Sequence, residues 1–133
     1  MNSPSNELMS MLSEYLSLDQ LSCYSLPPEA YTDLDLHALE LDSIFRKEWL
    51  CVGRAEYIPA PGDYYCIDIL NESLVVVHGQ DGVIRALSNI CRHRFMPVAQ
   101  GSGNTKRFVC PYHAWTYETD GSLYAAPFMK GSS

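Results

Sequence analysis

The sequence lacks any apolar run that approaches the roughly 20 residues a membrane-spanning helix needs. Beside the densest Cys/His region, the longest apolar run is Leu74 to Val77. Basic residues are scarce: nine Lys and Arg stand against sixteen Asp and Glu, for a formal net charge of −7. A chain so acidic excludes a nucleic-acid backbone as the partner of its bulk surface. The segment Met1 to Asp19 holds no Lys or Arg and no continuous apolar stretch, so it lacks the two features of a secretory signal. The expectation is a cytoplasmic protein. Cysteines number five, an odd count that argues against a disulfide framework in that compartment. Histidines are also few: His37, His78, His93 and His113.

What is present is enough for one ordinary domain. A length of 133 residues with 47% apolar composition can bury a core. Charge is unevenly spread. Between Asp81 and Glu118 there is no acid, while Arg85, Arg92, Arg94, Lys106 and Arg107 give that window +5 and leave −12 for the rest. Such a window is either a solvated face or a basic rim around a site holding negative charge. The second reading is preferred, because the strongest ligand pattern lies inside it.

Along the chain, Leu8, Met11, Leu12, Tyr15 and Leu16 follow helical spacing and predict an amphipathic helix over 7–18, broken by Pro27-Pro28. Thr32 with Asp35 resembles a capping box. Leu34, Ala38, Leu41 and Phe45 then share a face, and Arg46 and Lys47 suit a helix C-terminus, so a helix is predicted at about 33–47. Beyond it the period falls to two. Trp49–Arg54, Tyr64–Leu70, Ser73–His78, Val83–Ser88, Arg107–Val109, Ala114–Glu118 and Leu123-Tyr124 read as strands. The predicted turns are Pro61–Asp63, Asn71-Glu72, Gly79–Gly82 and Thr119–Ser122. Short strands with regular Gly/Asp turns indicate an antiparallel, mostly β sandwich or small barrel preceded by short helices.

The chemistry is concentrated in Cys91-Arg92-His93, then sixteen residues, then Cys110-Pro111-Tyr112-His113. Two loops each offer one thiolate and one imidazole. That set suits a dinuclear iron centre with unlike ends, Cys91 and Cys110 on one iron, His93 and His113 on the other. Two ferric ions, two sulfides and two thiolates sum to a neutral oxidised core when the imidazoles are neutral, and one electron makes it −1. A neutral core is easier to reduce than an all-cysteine one, which raises the potential to roughly −150 to +300 mV. Hydrogen bonds to the sulfurs tune within that range. Ala114 and Trp115 after His113 supply no hydroxyl, so the low end is expected. The alternative is a structural zinc module with the same four ligands. Zinc modules usually open with two cysteines two residues apart, whereas here Cys and His open with one residue between.

The stretches Cys91-Arg92-His93-Arg94 and Cys110-Pro111-Tyr112-His113-Ala114-Trp115 resemble the Rieske [2Fe–2S] signature of ring-hydroxylating oxygenase α-subunits. Asp120-Gly121-Ser122-Leu123, Phe45–Trp49 and Pro61–Tyr64 resemble the same family, and the likeness covers about 25–129. It implies a helical segment at 1–47 and a Rieske domain at 48–130 with two cluster-binding loops. It also implies a ferredoxin or flavin reductase as electron donor. The acceptor would be a mononuclear non-haem Fe(II), in a catalytic domain or a neighbouring α-subunit, that activates dioxygen. One departure stands out. The family often has Gly after His-Arg in the first loop, and here Phe95-Met96-Pro97 follows, so the loop is expected to be shaped differently.

The resemblance also implies a catalytic domain that this chain lacks. A facial triad needs two further histidines and a carboxylate. His37 lies between acids on the predicted helix and reads as a surface residue, and His78 ends a strand. The chain is therefore expected to be the N-terminal part of an oxygenase subunit, with aromatic ring hydroxylation slightly preferred over quaternary amine oxidation. The other candidate is a free-standing Rieske ferredoxin, which would not need the N-terminal helix. No membrane or nucleic-acid partner is expected, and an oligomer is left open. Cys23, Cys51 and Cys66 read as non-ligands, Cys51 and Cys66 as core residues. Trp115 and Tyr117 read as cluster shields or core aromatics, and Tyr112 as a hydrogen-bonding residue near the cluster.

Overall fold

The computed structural model describes residues 4–19, 21, 24–127 and 129. The chain forms two compact units, residues 1–50 and 51–133.

In the first unit, helix α1 (Asn6–Tyr15) starts where Ser5 accepts the Leu8 N–H at 3.1 Å. It ends three residues before the predicted stop. A single turn, α2 (Glu29–Thr32), follows the proline pair. Helix α3 (Leu34–Glu40) is capped by Asp33, whose carboxylate accepts the Leu36 N–H at 2.7 Å. Thr32 is not the cap, because its hydroxyl is spent on Pro28 O within α2. The helix then widens into a π-helical turn, Leu41–Phe45. A wider turn breaks the 3.6-residue stripe, so Phe45 falls off the predicted face. Leu36 is the buried residue of α3, and Leu34, at its first position, is exposed.

The second unit is built from two antiparallel sheets. Strands β1 (Asp63–Ile69), β2 (Glu72–His78), β3 (Ile84–Ser88) and β4 (Ser102–Asn104) form one, in the order β3-β2-β1-β4. Strands β5 (Arg107–Val109), β6 (Thr116–Glu118) and β7 (Leu123–Ala125) form the other, in chain order. The mostly β, antiparallel architecture expected from the sequence is therefore present. Trp49–Arg54 differs from expectation: it joins no sheet among the described residues, and a 3₁₀ turn at Ala55–Tyr57 follows it. Its Val52 carbonyl instead accepts the Tyr65 hydroxyl at 3.0 Å. The β1–β2 turn is Leu70-Asn71, one residue earlier than predicted, with Ile69 facing Glu72 and φ of +53° and +66° at the two turn residues. That is the mirror-image turn that matches strand twist.

The core follows from register. Tyr64 faces Val77, Cys66 faces Val75, and Leu87 faces Val75. Opposed residues share a sheet face, so these side chains converge with Ala99, Val98, Phe108 and Tyr117. Phe108, from the second sheet, meets Tyr64 edge-on at 5.3 Å. A second link joins two turns: the Gln80 N–H donates to the Thr119 hydroxyl at 3.0 Å, and Thr119 is buried. The ligand-bearing loops leave this framework between β3 and β4 and between β5 and β6.

Candidate metal centre

The two loops close by the same hydrogen bonds. In the first, the Phe95 N–H donates to Cys91 O at 2.9 Å, and the Cys91 N–H donates to Met96 O at 2.8 Å. In the second, the Ala114 N–H donates to Cys110 O at 3.0 Å, and the Cys110 N–H donates to Trp115 O at 2.8 Å. Each closure needs a left-handed residue at its fifth position, and Phe95 and Ala114 supply it at φ +57° and +56°. The first loop is thus not reshaped by losing a glycine. Phe95 adopts the glycine-favoured conformation at a cost of about 1–2 kcal/mol.

The base of the first loop is pinned by Asn89, which is 2% exposed. Its side chain accepts the Ala99 N–H at 2.9 Å and donates to Ala99 O at 3.0 Å and to the Ser73 hydroxyl at 3.3 Å. A buried amide with both ends used fixes where the loop leaves and re-enters the sheet.

The pattern residues come together in two pairs. Cys91 and Cys110 are both buried, and their thiols lie within hydrogen-bonding contact. The rings of His93 and His113 are 4.7 Å apart at 65°. His93 stacks on Trp115 at 4.9 Å and 6°, which holds its ring from the side. Tyr112 leans on His113 with centroids 3.8 Å apart, so it contributes a ring contact rather than the expected hydrogen bond. Among the described residues no three His, Cys, Asp or Glu side chains surround one point suited to a single ion. Two unlike pairs suit a two-iron centre better than one tetrahedral zinc.

The electrostatics favour metal-binding protonation states. Burial opposes ionisation of Cys91, but the Tyr117 hydroxyl, the His93 N–H, the Cys110 thiol and the Arg94 N–H outweigh it, and the thiol sits below its ordinary range. Burial, then the neighbouring His93 and Arg94, hold His113 below its usual value and therefore neutral. The Nδ1 atom of His113 is buried with no hydrogen-bond partner. An orphaned buried nitrogen is rare and costly unless it has another partner, and a metal is one that a neutral imidazole binds. The donor set and this vacancy in hydrogen bonding fit an iron–sulfur centre.

One functional contact was not legible in the sequence. The Tyr117 hydroxyl lies 3.3 Å from Cys91 Sγ. Ala114 and Trp115 indeed bring no hydroxyl, but β6 carries Tyr117 back to the first loop. That shifts the expected potential upward from the bottom of its range. The signal was present only as an aromatic residue two positions beyond Trp115.

The other candidates separate cleanly. His37 is exposed, as expected. His78 lies at the end of β2 with Nδ1 3.0 Å from Ile58 O. Cys66 packs half-buried against the core, whereas Cys51 is exposed and not the core residue expected. Cys23 lies outside the described residues. Within the basic window, Arg85 is bound by Asp81 at 2.7 and 2.8 Å. Arg107 is bound by Glu118 at 2.8 Å and lies over the Tyr124 ring. Arg92, Arg94 and Lys106 are exposed and make no ion pair among the described residues.

Comparison with known proteins agrees with this geometry. The Rieske [2Fe–2S] domain family matches residues 48–132. The chain is 45% identical over 104 residues to a glycine betaine monooxygenase oxygenase subunit from Chromohalobacter salexigens, covering 77% of this chain and 23% of that one. It is 40% identical over 108 residues to a benzene 1,2-dioxygenase subunit alpha from Pseudomonas putida, covering 80% and 24%. It is similar to the structure of naphthalene 1,2-dioxygenase from Rhodococcus sp., with a TM-score of 0.82 and 37% identity over 96% of this chain and 29% of that chain. The chain thus spans about a quarter of the length of the curated relatives it matches. With its two matched loops and its paired thiols and imidazoles, the chain belongs to the Rieske [2Fe–2S] domain family.

Proposed function

We propose that Cys91 and Cys110 hold one iron of a [2Fe–2S] cluster and that His93 and His113 hold the other. We place this Rieske domain at 48–130, after a helical segment at 1–47. The cluster, when bound, takes up and releases one electron at a time. The surrounding residues supply the environment: His93 is held by Trp115, Cys91 by Tyr117 and two backbone N–H groups, and both thiols are kept from water. The observation that carries this reading is the pair of equivalent loops presenting thiols together and imidazoles together, with His113 Nδ1 buried and unpartnered.

In its full setting the chain is read as the Rieske part of a cytoplasmic oxygenase α-subunit. A ferredoxin or flavin reductase delivers the electron. A mononuclear non-haem iron in a catalytic domain, in the same or a neighbouring subunit, receives it and activates dioxygen. Support comes from relatives named as oxygenase subunits that are about four times as long. No helix among the described residues is long and apolar enough to cross a membrane. The relatives' names include both aromatic hydrocarbon and betaine oxidation, and the aromatic class is proposed for the substrate.

The test is to produce the chain with iron and sulfide, purify it without oxygen, and measure iron, sulfide and zinc. Paramagnetic spectra are recorded before and after dithionite. Two irons and two sulfides per chain, with a signal only on reduction, are expected. One zinc without sulfide would overturn the reading in favour of a structural module.

A further inference from the structure

Nothing inside the chain accounts for the phenyl ring of Phe95. The loop needs a left-handed backbone there, and Ala114 meets the same need in the other loop with a methyl group. A bulky residue is strained in that conformation, while glycine is not. The ring is 78% exposed, and no other ring packs on it among the described residues. Beside it are the exposed Arg92 and Arg94 and the partly exposed Met96. The result is an apolar centre with a cationic border, on the loop that also carries His93. Exposed aromatics bordered by arginine are typical anchors of protein interfaces.

We infer that Phe95, flanked by Arg92 and Arg94, anchors the docking surface for the one-electron donor, and that this donor is an acidic protein. This rests on the electron-relay reading above. The basic window, free of acids from 82 to 117, complements a negative partner. A few exposed side chains on one loop are far smaller than a permanent interface, which buries on the order of 1,600 Å². They suit a brief encounter steered by charge. In that encounter the donor loses one electron and the cluster gains it, with no bond made to the protein.

The test uses the full chain with its cluster loaded, verified by iron, sulfide and paramagnetic signal. Stopped-flow mixing compares two reductants: chemically reduced plant-type [2Fe–2S] ferredoxin as an acidic protein donor, and reduced riboflavin as a small uncharged one. Phe95→Gly and Phe95→Ala, the second copying Ala114, are expected to lower the second-order rate with ferredoxin at least fivefold at low salt. Their rates with riboflavin and their spectra should match the unaltered chain. Arg94→Glu should lower the ferredoxin rate and flatten its salt dependence. Unchanged ferredoxin rates in both Phe95 variants would overturn the docking surface, as would an equal loss with riboflavin. So would a change in association state on sedimentation without a change in ferredoxin rate, which would assign the patch to a second copy of the chain. An unaltered chain that binds no cluster would instead overturn the relay reading beneath it.

Discussion

The hydroxyl of Tyr117 sits 3.3 Å from the sulfur of Cys91 and accepts the backbone N–H of Arg92 at 3.0 Å. With its lone pair occupied by that N–H, the hydroxyl has its proton free to donate to a Cys91 thiolate. Such a bond stabilises negative charge on sulfur, and most of all after an electron has been added. Tyr117→Phe should therefore lower the reduction potential of the cluster. One hydrogen bond of about 1 kcal/mol corresponds to about 40 mV for a one-electron couple. Voltammetry on the two proteins checks this, and an unchanged potential would remove Tyr117 from the tuning groups.

Cys110→Ser and His113→Ala each take one donor from the proposed centre. Both should reduce iron and sulfide to background, because every donor on either iron is used. The sheets draw their core from Val75, Val77, Ala99 and Phe108, not from the ligands. Far-ultraviolet circular dichroism should therefore retain its β signal while the thermal midpoint falls. Full metal content in either variant would show that the removed side chain is not a ligand.

Asn89→Ala leaves the Ala99 N–H and C=O without their buried partner. The expected loss is about 2–3 kcal/mol, the size typical of a buried polar network broken on one side. Urea midpoints measure it. Faster bleaching of the cluster should accompany the loss, since Asn89 sets the neck of the first ligand loop.

The Arg85 guanidinium, with the Val83 N–H, holds the Asp81 carboxyl well below the usual carboxylate range. A depressed folded value means that the pair stabilises the fold above the unfolded pKa and loses that effect as pH falls through the folded one. The stability gap between the protein and Asp81→Asn should be constant from about pH 8 to 5 and shrink only below about pH 4. Thermal midpoints across that range test the sign. A gap that widened on acidification would contradict it.

The sequence alone determined the ligand set, because Cys91, His93, Cys110 and His113 stand at spacings that few other chemistries use. It also determined the strands with strong local character. Val75 to Val77 reads as a buried strand in any context, and Asp81-Gly82 and Asp120-Gly121 mark turns by backbone preference. Only the tertiary structure decided the rest, because those features depend on partners distant in the chain. Ser102–Asn104 has no intrinsic strand preference and becomes β4 by pairing with Asp63–Tyr65. Trp49–Arg54 has that preference and finds no pairing strand among the described residues. The π-helical turn at Leu41–Phe45 moved a face that a regular helix would have kept. Phe95 kept a loop shape usually reserved for glycine, because the hydrogen bonds closing Cys91 to Met96 fix the backbone more strongly than one side chain opposes it. Tyr117 reaches Cys91 across 26 residues, a contact that β5–β6 pairing creates and local sequence does not encode.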